Sequence, residues 1–187
     1  MNTNYRFKVP AAGRSIRPVR FALVFFCCFV LGIAGLQIPP VQSIDRQFTE
    51  GLVALAHKSV TICGGHATRQ GAVLRSPEGF AVEMRDGCNA VNVMILLCSA
   101  VFAFPADWKM KALGILGGAA IIQVVNVFRF ITLFYLGQYS MPWFDFAHGY
   151  LWESLIVLDT MVVFWYWAMH VLRSTTVSNT PVSNAPA

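Results

Sequence analysis

Three side chains carry the chemistry this sequence can offer. Cys88 supplies a thiol at the start of one apolar stretch, Arg129 puts a guanidinium inside another, and His148 puts an imidazole just ahead of a third. A thiol is mostly protonated near neutral pH, and an adjacent imidazole, guanidinium and helix N-terminus together favour the thiolate. A thiolate attacks a peptide carbonyl, a guanidinium donates hydrogen bonds to the oxyanion that develops, and an imidazole moves protons for the leaving amine and the incoming nucleophile. The chemistry expected of this set is acyl transfer through a thioester, with Cys88 as nucleophile, Arg129 as oxyanion stabiliser and His148 as general acid/base. Arg129 is the most informative of the three. A charged Arg within hydrocarbon costs about 3 kcal/mol or more even on the lenient insertion scale, so it must pair or face a wet cavity. Asn126, three residues earlier and close to the same helical face, is the expected holder of its guanidinium, and Asp145, Glu153 and Asp159 are the alternative ion-pair partners. Asn89 and Asn92 are expected to line the pocket beside Cys88, and Trp152 to wall it.

The elements that must position these residues follow from composition. The chain has 187 residues, 56% hydrophobic and 12% charged, where a soluble domain carries about a quarter charged residues. An all-α membrane protein is expected, with about four transmembrane helices at 21–38, 88–104, 113–136 and 150–172. The net charge of +5 is concentrated before residue 21, which fits an anionic membrane surface rather than nucleic acid. Arg6, Lys8, Arg14, Arg17 and Arg20 in the N-terminal segment 1–20, Lys109 and Lys111 after the second span, and Arg173 after the fourth mark three cytoplasmic flanks. The loop 39–87 balances Arg46, Lys58, Arg69, Arg75 and Arg85 against Asp45, Glu50, Glu78, Glu83 and Asp86, and the turn 137–149 holds Asp145 without Lys or Arg. Both are expected to face outward, with both termini inside. The first span has the make-up of a signal peptide as well, but no A-x-A-like site precedes Pro39-Pro40, so it is read as a span.

Within the outward loop, Ile44, Phe48, Leu52 and Leu55 recur at helical spacing and predict an amphipathic interfacial helix over 44–58, beyond the Pro39-Pro40 breaker. Phe80, Val82 and Met84 alternate with Ala81, Glu83 and Arg85 after a Ser76-Pro77-Glu78-Gly79 turn, which predicts a β-hairpin with 72–74. The hairpin delivers the chain to Cys88 at the outer mouth of the second span. Arg129 lies seven residues, or about 10 Å, from the outer end of the third. Cys88, Arg129 and His148 are therefore expected at one level. The tail 173–187, rich in Thr, Ser, Asn and Pro, reads as disordered. Cysteines 27, 28, 63, 88 and 98 form neither a CxxC pair nor a zinc-ligand spacing, so no metal, cofactor or disulfide framework is expected.

Gly-Cys-Asn-Ala at 87–90, Asn-Val-Phe-Arg at 126–129 and Phe-Ala-His-Gly at 146–149 stand in an order and spacing that resembles the exosortase/archaeosortase family of membrane transpeptidases, over about residues 70–172. The resemblance implies that the family's Cys, Arg and His fall on Cys88, Arg129 and His148. It further implies a bacterial inner-membrane enzyme acting on exported proteins that end in a short motif, a transmembrane helix and a basic cytoplasmic tail, with an amine-bearing lipid or surface component as acceptor. Many family members have more spans, so this chain is similar to a compact form such as the type H exosortases.

Two other readings compete. A quinone-linked thiol oxidoreductase would pair the outward-facing Cys63 and Cys88, but that chemistry normally uses an attacking and a resolving cysteine at each step and no CxxC is present. A non-enzymatic membrane assembly subunit accounts for the composition and leaves Arg129 without a reason.

Overall fold

A long apolar run buried in lipid must satisfy its backbone polar groups within itself, which leaves the helix as the only solution for a single segment. The computed structural model, which describes residues 18–85 and 87–177, is built accordingly. Arg6, Lys8, Arg14, Arg17, Asp86 and the tail beyond 177 lie outside the described residues. Helices α1 (Pro18–Gly35) and α2 (Pro39–Ile62) are followed by strands β1 (Thr68–Gln70), β2 (Val73–Arg75) and β3 (Ala81–Glu83), and then by α3 (Val91–Ala103) and α4 (Trp108–Tyr139). The described residues end with α5 (Met141–Phe146), a π-helical turn (Ala147–Leu151) and α6 (Trp152–Val177).

Among the described residues three helical stretches are long and apolar enough to cross a membrane: α1, α4 and the continuous run Met141–Arg173. The fourth expected span is shorter. α3 has 13 residues, about 20 Å at 1.5 Å per residue, against a hydrocarbon core of roughly 30 Å. The protein is thus an all-α membrane protein, whose described residues hold a small sheet, three full-length apolar helices and one short one. The run 88–104 loses its first residues to a tight turn, in which Gly87 has φ 88° and Ala90 has φ 62°.

α3, α4 and α6 pack around Leu97, Val101, Phe104, Ile122, Ile156 and Trp167, all buried. Gly118 lets α3 and α4 approach, since a Cβ there would run into Leu97. A second cluster joins α2, the sheet and the last turns of α4 through Leu52, Val53, Val60, Leu74, Val82, Phe130 and Phe134.

Several sequence expectations need correction here. α1 does end ahead of Pro39-Pro40, at Gly35 rather than Ile38, and the two prolines occupy the first positions of α2, where a missing N–H costs nothing. The expected helix over 44–58 is present within the longer α2; of its stripe Ile44, Phe48, Leu52 and Leu55 only Leu52 is buried within the protein, and α2 packs through Thr49, Leu52, Val53, Ala56 and Val60. The hairpin is a three-stranded antiparallel sheet in the order β1-β2-β3, pairing Leu74 with Val82 and Arg69 with Leu74. β1, Thr-Arg-Gln, is exposed throughout and offers no alternation to read. The expected turn 137–149 is helical for most of its length. Residues 173–177 of the expected disordered tail continue α6.

The sheet docks on the end of α4. Ser76 Oγ donates to Gln138 Oε1 at 2.8 Å, and the Phe80 ring lies against Gly137 between Phe134 and Phe144, at centroid distances of 6.4 and 5.8 Å. A Cβ on residue 137 would collide with that ring. Gly137→Ala is expected to destabilise the protein by about 1–3 kcal/mol, the usual cost of overpacking, and Phe80→Leu in the same chain to restore part of the loss. Thermal melting of the detergent-solubilised protein checks this, and an unchanged midpoint in Gly137→Ala would contradict the docking.

Candidate functional site

Cys88 is held by a turn rather than by a helix. The chain leaves β3, Cys88 N–H donates to the Arg85 carbonyl at 2.9 Å, and the left-handed Ala90 swings the backbone into α3. A non-glycine residue in that region costs on the order of 1 kcal/mol or more and persists only where its surroundings impose it. Asn89 imposes it. Its Oδ1 accepts from Val91 N–H at 3.1 Å, its Nδ2 donates to Asp45 Oδ1 at 2.8 Å and Thr49 Oγ1 at 2.9 Å, and its carbonyl accepts from Gln123 Nε2 at 3.1 Å. One side chain and its carbonyl therefore tie α2, α3 and α4 together next to the thiol. Cys88 stands three residues ahead of α3, not on its first residue.

Arg129 comes from α4, ten residues before its end, about 15 Å from that end. Its side chain is 3% exposed. Nη2 donates to Glu153 Oε1 at 3.1 Å and lies 4.0 Å from Cys88 Sγ. Of the carboxylates expected as partners, Glu153 is the one that pairs with it, from the first turn of α6. Asn126 makes no hydrogen bond to the guanidinium; its Nδ2 reaches Gln123 Oε1 at 3.5 Å.

His148 sits in the π-helical turn. Ser140 is extended, Pro142 starts α5 at a position that tolerates it, and the Trp152 N–H bonds the Ala147 carbonyl five residues back. Such single π turns recur at functional sites because the extra residue re-aims neighbouring side chains. The His148 ring stacks on Phe144 at 5.7 Å, and its Nδ1 is buried without a partner.

Cys88, Asn126, Arg129 and His148 line one cavity of about 40 Å³, closed by Val82, Glu83, Phe130, Leu133 and Phe144. That volume admits water. The other expected site residues do not line it. Asn89 is the buried junction described above, Asn92 is exposed, and Trp152 packs against Phe128 at 6.0 Å and behind Leu133. Five lining residues were not anticipated, among them Phe130 and Leu133 on α4 beside Arg129. β3 supplies Val82 and Glu83, foreshadowed by the hairpin running straight into Cys88. Phe144 lies one helical turn before His148, a relation visible only if that segment is read as a helix. Among the described residues no group of His, Cys, Asp and Glu is arranged to hold a metal.

The comparisons add a family and nothing closer. The family model described as transmembrane exosortase (Exosortase_EpsH) matches residues 11–172. No curated protein and no solved structure matches the chain.

The Arg129–Glu153 pair is asymmetric, 3% against 57% exposed. Glu153→Ala strands a buried cation, at a cost of about 3 kcal/mol. Arg129→Met leaves a carboxylate that can turn away from the protein, so it should cost clearly less. Melting curves of the two variants should show the larger drop for Glu153→Ala; the reverse order would contradict the pairing.

Proposed function

The chain belongs to the transmembrane exosortase family, and on that premise we propose that it is a membrane-embedded cysteine protease/transpeptidase. It acts on exported proteins whose C-terminal sorting signal consists of a short motif, a transmembrane helix and a basic tail. It cuts at the motif and transfers the acyl part to an amine-bearing lipid or surface acceptor. The single observation that carries this reading is the convergence of Cys88, Arg129 and His148 on one cavity, with Arg129 Nη2 4.0 Å from the sulfur.

The chemistry runs in two halves. Cys88 Sγ attacks the scissile carbonyl as His148 takes the thiol proton, and Arg129 donates to the oxyanion, a charge that a preorganised donor in a dry site stabilises strongly. The C–N bond breaks, His148 returns the proton to the leaving amine, and the acyl group remains on Cys88 as a thioester. The incoming amine then repeats the sequence in reverse. Glu153 accepts from the same Nη2 that faces the sulfur, which orients the guanidinium and keeps its charge compensated between turnovers.

The orientation reading assigns the sheet end of the bundle to the periplasmic face of a bacterial inner membrane. Lys109 and Lys111 stand in the first turn of α4 and the sheet docks at the other end of this 32-residue helix, which is about 48 Å long. That separation supports cytoplasmic lysines and an outward site. A substrate anchored by its own transmembrane helix would then present its motif at the depth of the cavity.

Co-expression with a reporter bearing such a C-terminus, drawn from the same genome, tests the proposal. Processing should be abolished in Cys88→Ala and retained in Cys63→Ala; Cys63 is exposed just beyond α2. Equal loss from both changes would favour a thiol-disulfide mechanism, and unimpaired processing in Cys88→Ala would sink the proposal.

A further inference from the structure

The acyl-transfer reading requires a place for the second substrate, and two polar atoms around the cavity are without partners among the described residues. Asn126 is fully buried and lines the cavity, yet its Oδ1 has no hydrogen-bond donor. His148 lines the same cavity and its Nδ1 is likewise buried and unpartnered. An amide oxygen only accepts, and Nδ1 accepts in the tautomer that carries its proton on Nε2. Buried acceptors left unpaired are penalised, so a site that keeps them is suited to a ligand that donates. Arg129, by contrast, is already committed to Glu153 and the thiol, as a donor suited to the oxyanion.

We infer that Asn126 Oδ1 and His148 Nδ1 form the subsite for the incoming nucleophile, a neutral primary amine, which donates one N–H to each. This rests on the transpeptidase reading above and deepens it. A primary amine has two N–H groups and one lone pair; with both hydrogens engaged, the lone pair is left for the thioester carbonyl on Cys88. In the step, a C–N bond forms and the C–S bond breaks, its electron pair leaving on Sγ. The N–H proton passes to His148 Nδ1 and then to the sulfur, which restores the thiol and the neutral imidazole. Asn126 thus acts on the acceptor in the second half-reaction, not as a support for Arg129.

The test uses the full chain in detergent or nanodiscs, a sorting-signal substrate and methylamine as the acceptor probe. The thioester on the enzyme, the methylamide product and the methylamine concentration giving half-maximal transfer are measured for wild type, Asn126→Ala and Asn126→Asp. In Asn126→Ala the thioester should accumulate, methylamide formed per acyl-enzyme should fall at least tenfold, and the half-maximal methylamine concentration should rise. Asn126→Asp, which keeps an acceptor oxygen in the same place, should recover most of the transfer. Wild-type transfer in Asn126→Ala overturns the subsite, as does failure of both variants to form any thioester, which would make the residue structural. Absence of a thioester in the wild type is a different result: it removes the transpeptidase reading itself, and the subsite with it.

Discussion

Arg129 Nη2 donates to Glu153 Oε1 at 3.1 Å from a side chain 3% exposed, and the sheet end of the bundle is organised around that buried charge. A guanidinium in such surroundings persists only if a counter-ion and further polar groups compensate it. Glu153 does so from the first turn of α6, which requires α4 and α6 to run side by side with the π-helical turn bringing the chain round at that level. The same turn carries His148. Pairing the charge and placing the imidazole are therefore one structural event.

The thiol reaches the site by a separate route that converges on it. The sheet docks on α4 through Ser76 and Phe80, β3 hands the chain to the left-handed turn at Ala90, and Asn89 locks that turn to α2 and α4. None of these contacts involves the chemistry, yet each sets where Cys88 Sγ lies relative to the guanidinium. The short α3 is a consequence: residues that would have completed a span are used to build the turn. α1, which packs along α3, and the exposed face of α2 surround this arrangement without entering the cavity.

Much of this was legible in the sequence, for a physical reason. Charges are so costly in hydrocarbon that the few present sort themselves by depth, and Arg129 stood out as the exception; the long apolar helices follow from the same scarcity. Residue types with few bland uses at that depth, a thiol, a guanidinium and an imidazole, identified the set that the structure gathers at one cavity. What escaped depends on contacts distant in sequence or on backbone detail. Asn89 looked like a pocket residue because its partners Asp45 and Thr49 lie 44 and 40 residues away. The segment 137–149 looked like a turn because it joins the apolar runs 113–136 and 150–172; in the structure Gly137 makes room for Phe80 and Pro142 begins a helix. Asn126 was assigned to Arg129 on helical spacing alone, while the guanidinium had a carboxylate within reach on another helix.

The central claim is that Cys88 carries the acyl group in a site completed by Arg129 and His148. Its most direct test is peptide mapping of the full-length protein quenched at low pH during turnover of a sorting-signal substrate. The account predicts a hydroxylamine-labile acyl mass on the peptide containing Cys88, and its absence in His148→Ala. The same mass on the peptide of Cys63 or Cys98, or its undiminished presence on Cys88 in His148→Ala, would contradict it.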